Sequence, residues 1–155
     1  IPSRAKANNT AGAKGQVEMK ESGTLDISAR FNAKEVSTAL TINNSTLQEL
    51  HILATVLDAN DGIDRKEIIT AGETLTIYTD ETVKFTSEAE YTDSKLFPVT
   101  TQTNWSSNEG SIVSVSNNTG FEGIASPGID TGAATITAAF GNIDDFTFTL
   151  DVNPR

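Results

Sequence analysis

The sequence predicts an all-β, antiparallel fold of the sandwich or barrel kind, on three observations. Apolar residues recur at every second position in short runs, as strands with one buried face require. Turns rich in Gly, Asn, Asp and Ser break those runs at roughly 8–12 residue spacing. No helical pattern follows Tyr78, so parallel crossovers would have nothing to carry them.

Composition narrows the class further. A chain of 155 residues with 37% apolar content suffices for one ordinary domain or two small sandwiches. No apolar run approaches the roughly 20 residues of a membrane-spanning helix. Formal net charge is -10, which opposes nucleic acid and anionic membrane surfaces as partners. Cysteine is absent, which excludes disulfides, thiolate metal sites and cysteine nucleophiles. Position 1 is not Met and no signal-peptide pattern is present, so a processed or excised chain is expected.

Residues 1–17 are small, polar and Gly-rich with scattered cations, and read as a flexible leader or linker. Structure is expected from about Gln16. Leu25, Ile27, Ala29 and Phe31 alternate with Asp26, Ser28 and Arg30 as a half-buried strand, and Val36 to Ile42 is a weaker one. Ser45 to Leu57 fits a helix through Leu47, Leu50, Ala54 and Leu57. It also fits a strand with Leu50, Ile52, Ala54 and Val56 on one face. The strand is preferred, because the dense turn Asp58 to Asp64 follows at once. Glu67 to Thr70 and Leu75 to Ile77 are short strands, and Thr79-Asp80-Glu81 reads as a hairpin loop.

The clearest strand of the first half is Thr82 to Tyr91, with Val83, Phe85, Ser87, Ala89 and Tyr91 facing inward. Leu96 to Trp105 is expected to run back against it, with Val99, Thr101, Thr103 and Trp105 on one face and Pro98 forcing an edge or bulge. Trp105 is the only tryptophan, and a ring of that size on an inner face anchors a small core. Ile112 to Val115, Phe121 to Ile124, Ala134 to Phe140 and Phe146 to Val152 complete the strands, with Ser126 to Gly132 between them as a surface loop. Trp105, Phe85, Tyr91, Ile136 and Phe148 form the expected core signature.

Several motifs resemble one family in order and spacing. They are Glu81-Thr82-Val83-Lys84-Phe85-Thr86, Tyr91-Thr92-Asp93 with Val99-Thr100, Trp105-Ser106-Ser107 and Ile112-Val113-Ser114-Val115. Thr119-Gly120-Phe121-Glu122-Gly123-Ile124 and Gly132-Ala133-Ala134-Thr135-Ile136-Thr137-Ala138 follow. Residues 72–153 thereby resemble a bacterial Ig-like domain of group 2, the type found in intimin and invasin-like surface proteins. Asp80 stands where that family has Gly, and Ser126 to Thr131 lengthens its tight turn. Leu53 to Gly62 is similar to a segment of group 1 bacterial Ig-like repeats. Together these imply two Ig-like sandwiches in tandem, over residues 18–72 and 73–155. One sandwich with an elaborated N-terminal extension is the alternative.

Candidate chemistry is sparse. Asp58, Asn60, Asp61 and Asp64 would offer oxygens to calcium, and are somewhat similar to the Asp-x-Asn-Asp linkers of cadherin-like repeats. The competing reading is an Asx-rich turn with positive φ at Gly62. His51 is the only histidine, so a zinc site or catalytic triad would rest on one ring; a packed or hydrogen-bonded imidazole is the ordinary outcome. Glu88 and Glu90 share a strand face, where solubilising charge is the usual role. No nucleophile, base and orienting group come together, so no enzyme and no catalytic residue is expected. No cofactor is expected beyond the calcium candidate.

The resemblance implies an extracellular, non-enzymatic spacer or adhesive module of a bacterial surface or secreted protein. Its partners would be neighbouring domains, and a host receptor or polysaccharide. The alternative is a carbohydrate-binding accessory domain of a secreted enzyme, using Asn108, Asn117, Asp130 and Thr131.

Overall fold

A computed structural model describes residues 5–8, 16–19, 23–42 and 44–155 of the chain. Strands account for most of them, and the chain divides into two compact units, residues 1–46 and 47–155.

The first unit consists, among the described residues, of two antiparallel ladders. Strand β1 (Ala5–Asn8) pairs with β2 (Gln16–Met19), so the stretch read as a leader contains a strand; residues 1–4 and 9–15 lie outside the described residues. Strands β3 (Gly23–Phe31) and β4 (Lys34–Ile42) form a nine-pair hairpin. It closes through Asn32 (φ 46°) and Ala33 (φ 62°), the two left-handed positions of a type I′ turn. The alternation of Leu25, Ile27, Ala29 and Phe31 sets one face of this ribbon, yet Phe31 remains 79% exposed.

The second unit is a β-sandwich. Its six-stranded sheet has the order β11-β12-β8-β5-β6, with β9 beside β8, and its four-stranded sheet the order β10-β13-β14-β7. In chain order these are β5 (Leu47–Leu57), β6 (Ile63–Ile69), β7 (Thr74–Tyr78), β8 (Thr82–Tyr91) and β9 (Leu96–Pro98). They continue with β10 (Asn104–Ser107), β11 (Val113–Val115), β12 (Ile124–Pro127), β13 (Gly132–Phe140) and β14 (Ile143–Asn153). Ser45 to Leu57 thus belongs to a strand arrangement, with Leu50, Ile52, Ala54 and Val56 buried. Strand β5 pairs with β8 over ten positions, which makes residues 47–69 part of the same sandwich as residues 74–153. The division expected at 72/73 therefore falls between Thr46 and Leu47.

Four further expectations are corrected. Pairing is antiparallel throughout the described strands except for β7, which lies parallel to β14 with Thr74 opposite Thr149. Thr79-Asp80-Glu81 closes no hairpin: it carries the chain from β7 in one sheet to β8 in the other. The run from Leu96 to Trp105 is two strands in different sheets, joined by a 3₁₀ turn at Thr100–Gln102. That turn breaks the period-2 register, so Val99, Thr103 and Trp105 are buried while Thr101 is exposed. Phe121, placed in a strand by its pattern, lies in a turn and is exposed; the strand begins at Ile124 and takes in Ser126 and Pro127.

The core is knit by aromatic rings from both sheets. Phe85 on β8 stacks on Trp105 of β10 at 5.5 Å between centroids and meets Phe148 of β14 edge-on at 5.0 Å. Ile136 is fully buried beside them, and Tyr91 is half-buried at the margin, its ring edge-on to Phe97. Gly123 lets the chain pass this stack. A Cβ there would lie 2.5 Å from the Phe85 carbonyl oxygen, and its φ of 76° already favours glycine. Beyond the ring, the buried Trp105 Nε1–H has no protein acceptor.

Trp105→Ala is expected to cost about 3–5 kcal/mol in denaturant unfolding followed by circular dichroism. Trp105→Phe should lose much less, since it keeps an aromatic ring and removes the unpaired N–H. Gly123→Ala should destabilise by more than about 1 kcal/mol. A Trp105→Ala protein as stable as the parent would show that the ring does not anchor the two sheets.

Candidate functional site

The loop Asp58 to Asp64 joins β5 to β6. The Asp58 carboxylate turns back on it: Oδ1 accepts the amides of Asn60 (2.8 Å) and Gly62 (2.9 Å). The loop is closed by the Asp58 amide donating to the Gly62 carbonyl and the Asp61 amide to the Asp58 carbonyl. The left-handed residue is Asp61 (φ 60°), where Gly62 was expected. Gly62 instead leaves room for the bonded carboxylate: a Cβ there would come within 2.8 Å of Asp58 Oδ2. Asp64 is engaged by Arg65 at 2.8 Å. The structure thus uses the loop's first carboxylate as an Asx turn and turns its last toward arginine, and the carboxylates of Asp58, Asp61 and Asp64 do not group within 4.8 Å of one another.

Of the residues named for glycan contact, the two asparagines bond to neighbouring backbone. Asn117 is bonded to the edge of β10, its Oδ1 accepting the Trp105 amide and its Nδ2 donating to the Trp105 carbonyl, both at 2.8 Å. Asn108 Oδ1 accepts the Thr135 amide at 2.7 Å. Asp130 and Thr131 are exposed on the loop before β13. The two asparagines act as short pieces of strand that satisfy open backbone groups.

A different group does converge, on the outer face of the six-stranded sheet. Residues 49, 51 and 53 of β5 point outward beside residues 86, 88 and 90 of β8. The register places Glu49 directly opposite Glu90 and His51 opposite Glu88. His51 Nε2 lies 2.7 Å from Glu90 Oε2, and the side chains are 40% and 30% exposed. One ligand atom from each of Glu49, His51 and Glu90 falls within 4.8 Å of the other two; among the described residues no other three His, Cys, Asp or Glu side chains are so grouped. A groove of about 480 Å³ runs alongside, lined by His51, Leu53, Ile68, Glu88, Leu96 and Pro98. Ile68 is 74% exposed there.

The sequence pattern points to His51 by itself and to Glu88 with Glu90 as a pair, and it does not single out Glu49. His51 was expected to be packed or hydrogen-bonded, and Glu88 and Glu90 to be surface charge. Their grouping depends on the β5–β8 register, which a single strand's pattern does not contain. The available signal was weak: two strands, each with outward-facing ionisable residues near one end.

Elsewhere charges serve the frame. Arg65 on β6 reaches the opposite sheet, donating through Nη2 to the Thr76 carbonyl and lying 3.5 Å from the buried carboxylate of Glu81. Partial burial works against its charge, but bonds to Asp64 and Glu67 and the field of Glu81 outweigh it and hold its pKa above the ordinary value. Glu81 in turn accepts the Tyr78 amide at 3.0 Å. Glu73 accepts the amide and hydroxyl of Thr70, which lowers its pKa. That contribution is present above the ordinary glutamate value and fades as pH falls through the lowered one.

Asp58→Ala should destabilise the chain by about 1–3 kcal/mol, because two loop amides lose their acceptor, while Asp58→Asn, which keeps an acceptor oxygen, should lose much less. Thermal unfolding of the two variants decides this, and equal losses would show that charge rather than the Asx turn matters. No protein-family model matches the chain, and no curated protein sequence matches it.

Proposed function

We propose that residues 47–155 form a non-catalytic, Ig-like structural module of a bacterial surface or secreted protein, built to hold its neighbours apart under load. The observation that carries this reading is where the chain enters and leaves. Leu47, the first residue of β5, lies opposite Tyr91 and against Gly141, at the end of the sandwich where β14 begins. Strand β14 ends at the other pole: the Asn153 carbonyl accepts the Thr79 amide, and Arg155 pairs with Asp80.

Strands β5 and β14 are each 11 residues long, about 35 Å at an extended rise, and run in the same direction in opposite sheets. Tension between the two ends therefore pulls both along their length. Ladder hydrogen bonds lie across that direction, so β5 is sheared against β6 and β8, and β14 against β13 and β7. A sheared ladder must give way at many bonds together, whereas a peeled one gives way singly. The resemblance of residues 72–153 to group 2 bacterial Ig-like domains supports the placement in a surface or secreted protein.

Single-molecule stretching of the full chain tests the reading, with cysteine handles introduced into a chain that has none. Handles at Asn44→Cys and Arg155→Cys load the two poles; handles at Asn44→Cys and Asn142→Cys load one pole. The first pair should unfold at clearly higher force and at a slower rate for a given force. Equal unfolding forces would remove the mechanical argument.

A further inference from the structure

We propose that Glu49, His51 and Glu90 form a binding site for a divalent transition-metal ion of the zinc class, built across the β5–β8 ladder. The donor set comes first. One imidazole nitrogen with two carboxylate oxygens suits zinc, nickel or copper, whereas calcium and magnesium take oxygen alone.

Distance is the second argument. The three donor atoms already lie within 4.8 Å of one another, and His51 Nε2 and Glu90 Oε2 within 2.7 Å. Ligands at about 2.0–2.2 Å from one ion are separated by no more than about 4.4 Å, so side-chain rotations alone bring the set onto a common centre. The backbone need not move, and it is firmly held: β5 and β8 are inner strands paired over ten positions.

The third observation is independent of the donors' types. Glu49 and Glu90 are direct cross-strand partners, and like charges so placed destabilise a sheet. Glu88 stands opposite His51 on the same face and adds a third carboxylate. Among the described residues no lysine or arginine forms an ion pair with Glu49, Glu88 or Glu90. A cation between the strands converts this opposition into coordination. Three protein ligands leave a further position facing the groove walled by Leu53, Ile68, Leu96 and Pro98, where water or a donor atom of a partner would complete the shell. This site is separate from the mechanical reading above and stands or falls without it.

His51 is the only histidine and cysteine is absent, so a metal on imidazole can be assigned without competition. Zinc is titrated into the full chain by calorimetry, and the imidazole nitrogens are followed by ¹⁵N-edited NMR. One ion per chain should bind, with a shift at His51 Nε2. His51→Ala and Glu90→Gln should each weaken binding by more than the roughly 10- to 100-fold that loss of an outer-shell partner costs. Glu88→Gln, which removes a nearby charge but no ligand, should cost clearly less than Glu90→Gln, and circular dichroism confirms that each variant is folded. The proposal fails if zinc leaves the imidazole unshifted, if binding survives His51→Ala, or if Glu88→Gln is as damaging as Glu90→Gln, since diffuse charge would then suffice. Binding lost in Asp58→Asn and kept in His51→Ala would move the ion to the β5–β6 loop and overturn it equally.

Discussion

The contact between Phe85 and Trp105 is the one on which the sandwich depends. It joins the two sheets through their largest side chains, and Phe148 closes against the same ring. In a chain without disulfides, cohesion between sheets has to come from such packing. The neighbouring backbone is shaped to permit it. Gly123 passes where no Cβ fits, and Asn117 grips the Trp105 amide and carbonyl from outside. The stack therefore fixes the turn between β11 and β12 as well as the core.

The second constraint is how the chain changes sheets. Strand β7 leaves the six-stranded layer for the four-stranded one, and the chain returns at β8 through a turn whose Glu81 is buried. A buried carboxylate is costly unless it is bonded, and here the Tyr78 amide and Arg65 meet it. Arg65 belongs to β6, so the same group binds the edges of both sheets. The later crossing, from β9 to β10, has no charge to guide it. Pro98 ends the ladder with β8, and a 3₁₀ turn held by the Val99 carbonyl rotates the chain by the amount that brings Thr103 and Trp105 inward.

These crossings mark what was legible in the sequence and what was not. Inner faces were readable wherever a strand is regularly paired within one sheet, because side-chain direction alternates along it; Val83 to Ala89 and Leu50 to Val56 show this. Alternation persists through a change of sheet only by accident. Leu96 to Trp105 keeps its apolar spacing while its backbone does not stay extended, and Thr101 is the residue that reveals the break. The Asp58 loop was legible as a turn but not in its details, since Asp61 takes the left-handed position and Gly62 makes room for a carboxylate. The Glu49, His51 and Glu90 group was illegible for a different reason: its members are 41 residues apart at the extremes and meet only through register.

The placement of that group connects chemistry to mechanics. Glu49 and His51 lie in the first turns of pairing after the chain enters the sandwich, and Glu90 lies at the end of the strand beside them. A bulge at Gln48 lets Leu47 turn toward the core while Glu49 faces out, so the ladder is least regular at its entry end. Opposed carboxylates weaken that end further. Tension applied through Leu47 reaches this segment of β5 before any other. An ion held by both strands would act there as a crosslink, and it would do so without touching the aromatic core that sets the stability of the rest. In the proposed module, resistance at the entry point and cohesion of the core would thus rest on different residues, and a change at Glu90 should alter the first without the second.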